Sequence, residues 1–351
     1  MATTAYGTNH GLAVKLWSRK LFREALKQTF FSRYMGEGSD SLVQVLTDTK
    51  KGAGDKITVG LRMQLSGTGI QGDATLEGNE EALTTYTDSL TIDQLRHAVR
   101  SSGKMSEQRI PFSVREEARM GLQDWWADRI DTSLMNQLCG NTAQTDGRYT
   151  GFFTPVAGVI STTAGANRMV FPEGQTTEAS LSSVSTFTLA TIDKAVATAK
   201  TAVPLIRPIK VGGEDYFVVF IHPFQTMSLR STTAASEWNS IQRAAMQGGM
   251  VKDNPLFTGS LGVYNNCVIV ETARVVGVAA NTKRAVLCGA QSAVLALGQD
   301  NQPEKMSWVE ELFDYENQLG VSAGMIFGTK KTIFNSRDFG TVAMASWAVA
   351  P

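Results

Sequence analysis

Apolar and polar positions alternate without a break from residue 57 to 65. Ile57, Val59, Leu61, Met63 and Leu65 fall on one side, and Thr58, Gly60, Arg62 and Gln64 on the other. A period of two predicts a strand with one wet face. After a glycine-rich segment a second extended stretch, TTYTDSLTIDQLRHAV, returns. Its apolar phase shifts near Asp93, from Tyr86, Leu90 and Ile92 to Leu95 and Val99, which predicts a bulge or bend. Together these segments predict a long hairpin of about 45 residues.

A helical period follows in IPFSVREEARMGLQDWWADRIDTSLMNQLCGN. Ser113 with Glu116 three residues on forms a capping box, and Gly140 with Asn141 supplies the stop. The helix between them spans about 26 residues, or roughly 39 Å. Its apolar residues Val114, Ala118, Leu122, Trp126, Ile130, Leu134 and Leu138 recur every fourth position. That spacing drifts about 40° per step around the axis, so the helix meets different neighbours along its length. It reads as a strut, with Trp125 and Trp126 as core and interface anchors.

Near the amino end, Leu12, Leu16, Trp17, Leu21, Ala25, Phe30 and Phe31 keep helical spacing, with Lys15, Arg19, Lys20 and Arg23 opposite. The protein's own core or a neighbouring subunit is the first reading of this face, and a membrane or an anionic partner the alternatives. Residues 161–188 are rich in Ser, Thr, Gly and Ala and read as loop or loosely paired strand. A helix from Leu189 ends before Pro204, and IKVGGEDYFVVFIHP predicts a hairpin turned at Gly212 and Gly213. Residues 217–221 are apolar on both faces, as in a central strand. Pro223 opens a further helix, and Ser236 caps another carrying Trp238 and Ile241. CVIVE, RAVLC and the tail KKTIFNSRDFGTVAMASWAVA read as strands. Helices and strands mix without a βαβ rhythm or a repeat, so the fold class is α+β.

Composition narrows the function. The 351 residues, 42% hydrophobic and 19% charged, suit a globular chain that buries about 75% of its unfolded surface. Lys plus Arg equals Asp plus Glu at 33 each, so the basic excess of a nucleic-acid binder is missing. A net charge of zero also removes the repulsion between copies. Cys139, Cys267 and Cys288 are widely spaced and odd in number, pointing to reduced thiols. The amino terminus lacks a secretory pattern and no apolar run matches a bilayer span, so a soluble, cytoplasmic chain is expected.

Chemistry-bearing motifs fail on context. Gly67, Gly69 and Gly72 spell G-x-G-x-x-G after a strand, with Asp88 or Asp93 about twenty residues on, the outline of a dinucleotide site. Yet the strand has a polar face, and DATLEGNEEAL follows, whose Asp73, Glu77, Glu80 and Glu81 repel a pyrophosphate. The glycines are expected instead to let the hairpin tip bend. RDFG lies too close to the end for a kinase, and GMIFGTKKT misses phosphate-loop spacing by one residue. His10, His97 and His222 have no partner at ligand spacing, and His222 before Pro223 suits a helix cap. No catalytic residue, cofactor site or metal ligand emerges, and a structural or binding role is left.

Several stretches, in order, resemble the major capsid proteins of tailed bacteriophages, the Johnson-fold family, closest to its N4-like branch. They are GNEEALTTYTDSLTIDQLRHAVRSSGKMSEQR, EEARMGLQDWWADRID, YFVVFIHPFQTMSLR, NPLFTGSLGVYNNCVIVE, RAVLCGAQSAVLALG, FDYENQLGVSAGMIFGTKKTIFN and DFGTVAMASWA. The resemblance covers most of residues 40–350. It implies an amino-terminal arm over 1–45, an extended hairpin loop over 46–102, a peripheral domain over 103–188 and 321–351, and an axial domain over 189–320. It implies a self-assembling icosahedral shell subunit of the virion that confines packaged DNA without sequence-specific binding and touches no membrane. Partners would be many copies of itself, with portal, scaffolding and decoration proteins. Residues expected at contacts between subunits are Leu16, Trp17, Leu21, Phe30 and Phe31 of the arm, and Gly67, Gly69, Gly72, Asp73, Glu77, Glu80 and Glu81 of the hairpin. The spine helix would be carried by Ser113, Glu116, Leu122, Trp125, Trp126, Ile130 and Leu134. The alternatives are a cellular nanocompartment shell of the same fold, or an enzyme with a nucleotide at residues 67–72.

Overall fold

The computed structural model describes residues 29–47, 54–109, 113–146, 158–161, 166–172, 174–232, 260–298 and 307–350. Leu16, Trp17 and Leu21, and the helix expected around Trp238 and Ile241, lie outside them. Helices are α1 (Lys104–Gln108), α2 (Val114–Cys139), α3 (Leu189–Thr201) and α4 (Pro223–Thr232). Strands run β1 (Met35–Gly36), β2 (Val43–Leu46), β3 (Lys56–Arg62), β4 (Thr85–Thr91), β5 (Asp93–Arg100) and β6 (Met169–Val170). They continue with β7 (Ile209–Val211), β8 (Glu214–Ile221), β9 (Ser260–Tyr264), β10 (Cys267–Glu271), β11 (Thr282–Cys288) and β12 (Ala293–Leu297). The last are β13 (Ser307–Phe313), β14 (Gln318–Lys331), β15 (Ile333–Phe334), β16 (Arg337–Asp338) and β17 (Thr341–Trp347).

Two large sheets share one spine helix. The first has the order β6-β17-β11-β8-β10-β9, with β7 on β8. Its centre is β8, whose residues 217–221 are buried on both faces, as an all-apolar strand requires. The tight β7–β8 turn uses Gly212 and Gly213 at φ 62° and 91°, which side chains with a Cβ resist. Phe217, Val219 and Ile221 meet Ile192, Val196 and Ala199 of α3, and Val218 and Phe220 face the core that α2 lines. His222 caps α4, its Nδ1 accepting the Phe224 amide at 3.1 Å.

The second sheet has the order β1-β2-β12-β14-β13, with β5 also on β14. Residue Phe327 pairs with Asp93 on one side and Leu297 on the other, and Gly324 with Arg96 and Ser307. So β5 follows one edge of β14 while β13 and then β12 share the opposite edge. Val321, Ala323, Met325 and Phe327 point into the core around α2.

Helix α2 begins with the Ser113 hydroxyl accepting the Glu116 amide at 3.5 Å. It ends at Gly140, φ 60°, with the Asn141 amide on the Asn136 carbonyl and the Gly140 amide on that of Gln137. That is a paired αL stop of the kind glycine favours. The drifting apolar series does meet several partners: Trp126 lies edge-on to Phe327 of β14, and the Cys139 thiol reaches the Arg284 carbonyl of β11.

Two expectations are corrected here. Phe30 and Phe31 do not wait for a neighbour. Asp131 of α2 accepts both their amides, at 2.7 and 3.2 Å, and both rings pack on Phe220, with Phe31 fully buried. From Thr29 the chain is therefore part of the subunit's core, with β2 in the sheet beside β12, although an arm was expected to run to residue 45. The sheets also cut across the expected division at residues 189 and 320. Strands β12 and β13 join β14 and β5, whereas β17 crosses to pair with β11 in the other sheet. Non-local pairing decides membership, and sequence order does not.

Candidate functional site

Strands β3 and β4 pair in register from Lys56 opposite Thr91 to Arg62 opposite Thr85, forming a two-stranded ribbon of their own. The predicted phase break falls at Ile92, where the chain leaves this ribbon and enters the second sheet as β5. An isolated ribbon is marginal in water, so its root must be held. Asp88 does this by accepting Lys330 Nζ and the Ile333 amide, the latter at 3.0 Å, while Lys330 also donates to the Ser89 carbonyl. Leu90 packs with Val294 and Ala296. Gly328 lets the root approach, since a Cβ there would lie 2.4 Å from the Thr91 carbonyl oxygen.

Beyond the ribbon the tip is open. Every residue from 64 to 85 is exposed, including Leu65 at 59%, Leu76 at 61% and Leu83 at 57%. Gly69 and Gly72 take φ 68° and 62° with open space around them, so they bend the chain as expected and approach nothing. The tip is closed by Glu81. Its Oε1 accepts the Ser66 amide at 2.8 Å and the Ser66 hydroxyl at 3.2 Å, and its Oε2 accepts the Gly67 amide at 2.7 Å. The Ser66 amide first, and the Gly67 amide next, hold its carboxyl below the usual glutamate range.

That contact speaks against the dinucleotide alternative. The Gly67 amide, which a phosphate would need, is given to the chain's own carboxylate, and no helix follows until α1. Asp88, one of the candidate ribose ligands, is bound to Lys330. Among the described residues, no cluster of three His, Cys, Asp or Glu side chains could hold a metal, and no helix is long and apolar enough to cross a membrane.

The expected contact residues separate into two groups. Gly67, Gly69, Gly72, Asp73, Glu77, Glu80 and Glu81 come together on the exposed tip, and Glu80 also accepts the Gly78 amide at 2.8 Å. Phe30 and Phe31 sit in the core. On the spine helix Leu122, Trp126, Ile130 and Leu134 are buried, and Trp125 stacks on His97 of β5 at 4.5 Å. Arg284 was missed. It donates to the Gly140 and Cys139 carbonyls at 2.6 and 3.2 Å and pairs with Glu178 at 2.5 Å, fastening the segment before α3 to the end of the spine.

The subunit thus consists of a central mixed sheet, a long spine helix lying across a second sheet, and a rooted hairpin with an uncovered tip. The chain belongs to the phage capsid protein family, whose model matches residues 3–350. It is 29% identical to the major capsid protein of Pseudomonas phage KPP25, over 93% of each chain. Its structure resembles the capsid of Ralstonia phage GP4, with 31% identity, a TM-score of 0.80, and 93% of this chain and 92% of that one covered. It also resembles the capsid of Cyanophage Pam1, with 22% identity, a TM-score of 0.72, and 100% and 95% covered. The protein is thus a structural subunit of a phage capsid, many copies of which form the shell.

Proposed function

We propose that copies of this chain interlock through the hairpin, each laying its tip over an adjacent copy as hexamers and pentamers close into an icosahedral shell. One observation carries this reading: the hairpin is fixed at its root by Asp88, Lys330 and Leu90, yet exposes every residue from 64 to 85. A rooted protrusion with bare leucines gains burial only from a partner. Heterologous contacts of this sort close into rings when the rotation permits. The work is enclosure without catalysis. The neutral chain confines DNA without adhering to it, and portal, scaffolding and decoration proteins complete the particle. Deleting 66–81 is expected to leave a folded subunit, judged by its melting curve, and to abolish multi-megadalton particles in sedimentation and micrographs. Normal shells from that variant would refute the hairpin's role.

A further inference from the structure

The face of the second sheet turned away from α2 has its own chemistry. Because Val321 and Ala323 point into the core, alternation puts Gly320, Ser322 and Gly324 on the other side. Their cross-strand partners there are Arg100, Ala98 and Arg96 of β5, and Glu311, Val309 and Ser307 of β13. Arg96 lays its stem over Gly324, whose missing Cβ would sit 2.8 Å from Arg96 Cγ. The Arg100 guanidinium lies 4.3 Å from the centroid of the Phe313 ring. Between these two rows lie Ala98, Ser322 and Val309, with Val309 51% exposed. Both arginines are exposed and neither joins an ion pair among the described residues; Glu311 is the single carboxylate in these rows, so cationic charge predominates.

The hairpin tip carries the opposite sign. Residues 63–95 contain no Lys or Arg, whereas Asp73, Glu77, Glu80 and Glu81 crowd the tip. Glu81 and Glu80 are bound to tip amides, which leaves Asp73 and Glu77 outward without a cation. The hydrogen bonds of the tip among the described residues are internal to the hairpin. The ribbon carries the tip away from Ile92 while β5 leaves that junction along β14. One subunit therefore displays an acidic, leucine-bearing protrusion and a separate cationic strip with Ala98 and Val309 between its arginines.

We propose that the exposed strip formed by Arg96, Ala98, Arg100 and Val309 is the seat for the tip of a second copy. Asp73 and Glu77 of that copy meet the two guanidinium groups, and Leu76 covers Ala98 and Val309. This rests on the hairpin reading above and adds the receiving surface to it. Charge complementarity supplies orientation and register, and seating a leucine removes water from the pairs.

Charge reversal tests the pairing in the full-length protein. D73K/E77K alone and R96E/R100E alone are each expected to cut shell yield at least about tenfold in sedimentation, with subunits that still melt cooperatively. All four changes together are expected to restore shells. Normal assembly of either double variant overturns the proposal. Two defective variants that fail to rescue each other also overturn it, while leaving the hairpin's general role to the deletion of 66–81. If R96E/R100E forms normal shells but loses packaged DNA, the face serves the genome and the proposal falls.

Discussion

At Ser66 and Gly67, two backbone amides converge on the Glu81 carboxylate, and the charge on that group decides how firmly the tip is closed. Glu81→Gln keeps the shape but weakens both acceptors, because a carboxylate is the stronger acceptor for an amide. Faster hydrogen exchange at Ser66 and Gly67 is expected, with no change in the global melt. The pH dependence follows from the downward shift of Glu81. A carboxyl that titrates lower when folded contributes fully above its unfolded value, and loses that contribution as pH falls through its folded value. Protection of the two amides should therefore disappear on acidification in the native protein and be flat with pH in Glu81→Gln. Glu178 poses a harsher problem. Its partner Arg284 is 6% exposed, so Glu178→Ala strands a guanidinium with only the Gly140 and Cys139 carbonyls. Removing one member of a buried pair costs about 3 kcal/mol, and urea denaturation of unassembled subunits should show a loss of that size. Glu178→Leu combined with Arg284→Met should cost less than the sum of the two changes.

The hairpin works as an element because its root angle is set by close approach to β14. Gly328→Ala would place a methyl group 2.4 Å from the Thr91 carbonyl, backbone that cannot swing aside. Overpacking of this kind costs about 1–3 kcal/mol, so the variant should melt earlier and, with its tip re-aimed, give fewer shells. An unchanged melt would mean the root is looser than its contacts imply. Elements whose determinants are local were legible in the sequence: the α2 caps at Ser113 and Gly140, the Gly212-Gly213 turn, the all-apolar core of β8, and the phase break beside Ile92. Those fixed by distant partners were not. Nothing near Phe30 announces Asp131, 101 residues away, or Phe220, and a short parallel strand such as β2 has no periodicity to betray its place beside β12. The tip's acids were visible as a charge cluster, but the use of Glu81 as an internal clasp depends on a turn geometry that composition does not encode.

For the whole molecule, net charge and exposed apolar surface act together. With 33 cations against 33 anions, copies approach without long-range repulsion, and under the interlocking proposed above short-range burial of protrusions would govern association. Residues such as Leu65, Leu76 and Leu83 lie on a segment wholly open to water in the single chain. Transfer of apolar surface from water is worth roughly 25 cal/mol per Å², and in the proposed interlocking the same gain would recur at every copy. On that proposal the tip would report assembly. A protease that cleaves after glutamate has Glu77, Glu80 and Glu81 within reach on the free subunit, and exposed loop tips are the usual first sites of nicking. Cleavage there should be rapid in unassembled subunits. In intact particles it should slow to the rate at which shells open, while exposed sites elsewhere, such as Glu214 in the β7–β8 hairpin, serve as internal references. If the tip is cut in intact shells as fast as in free subunits, its leucines remain in water after assembly, and the force holding the copies together must come from another surface.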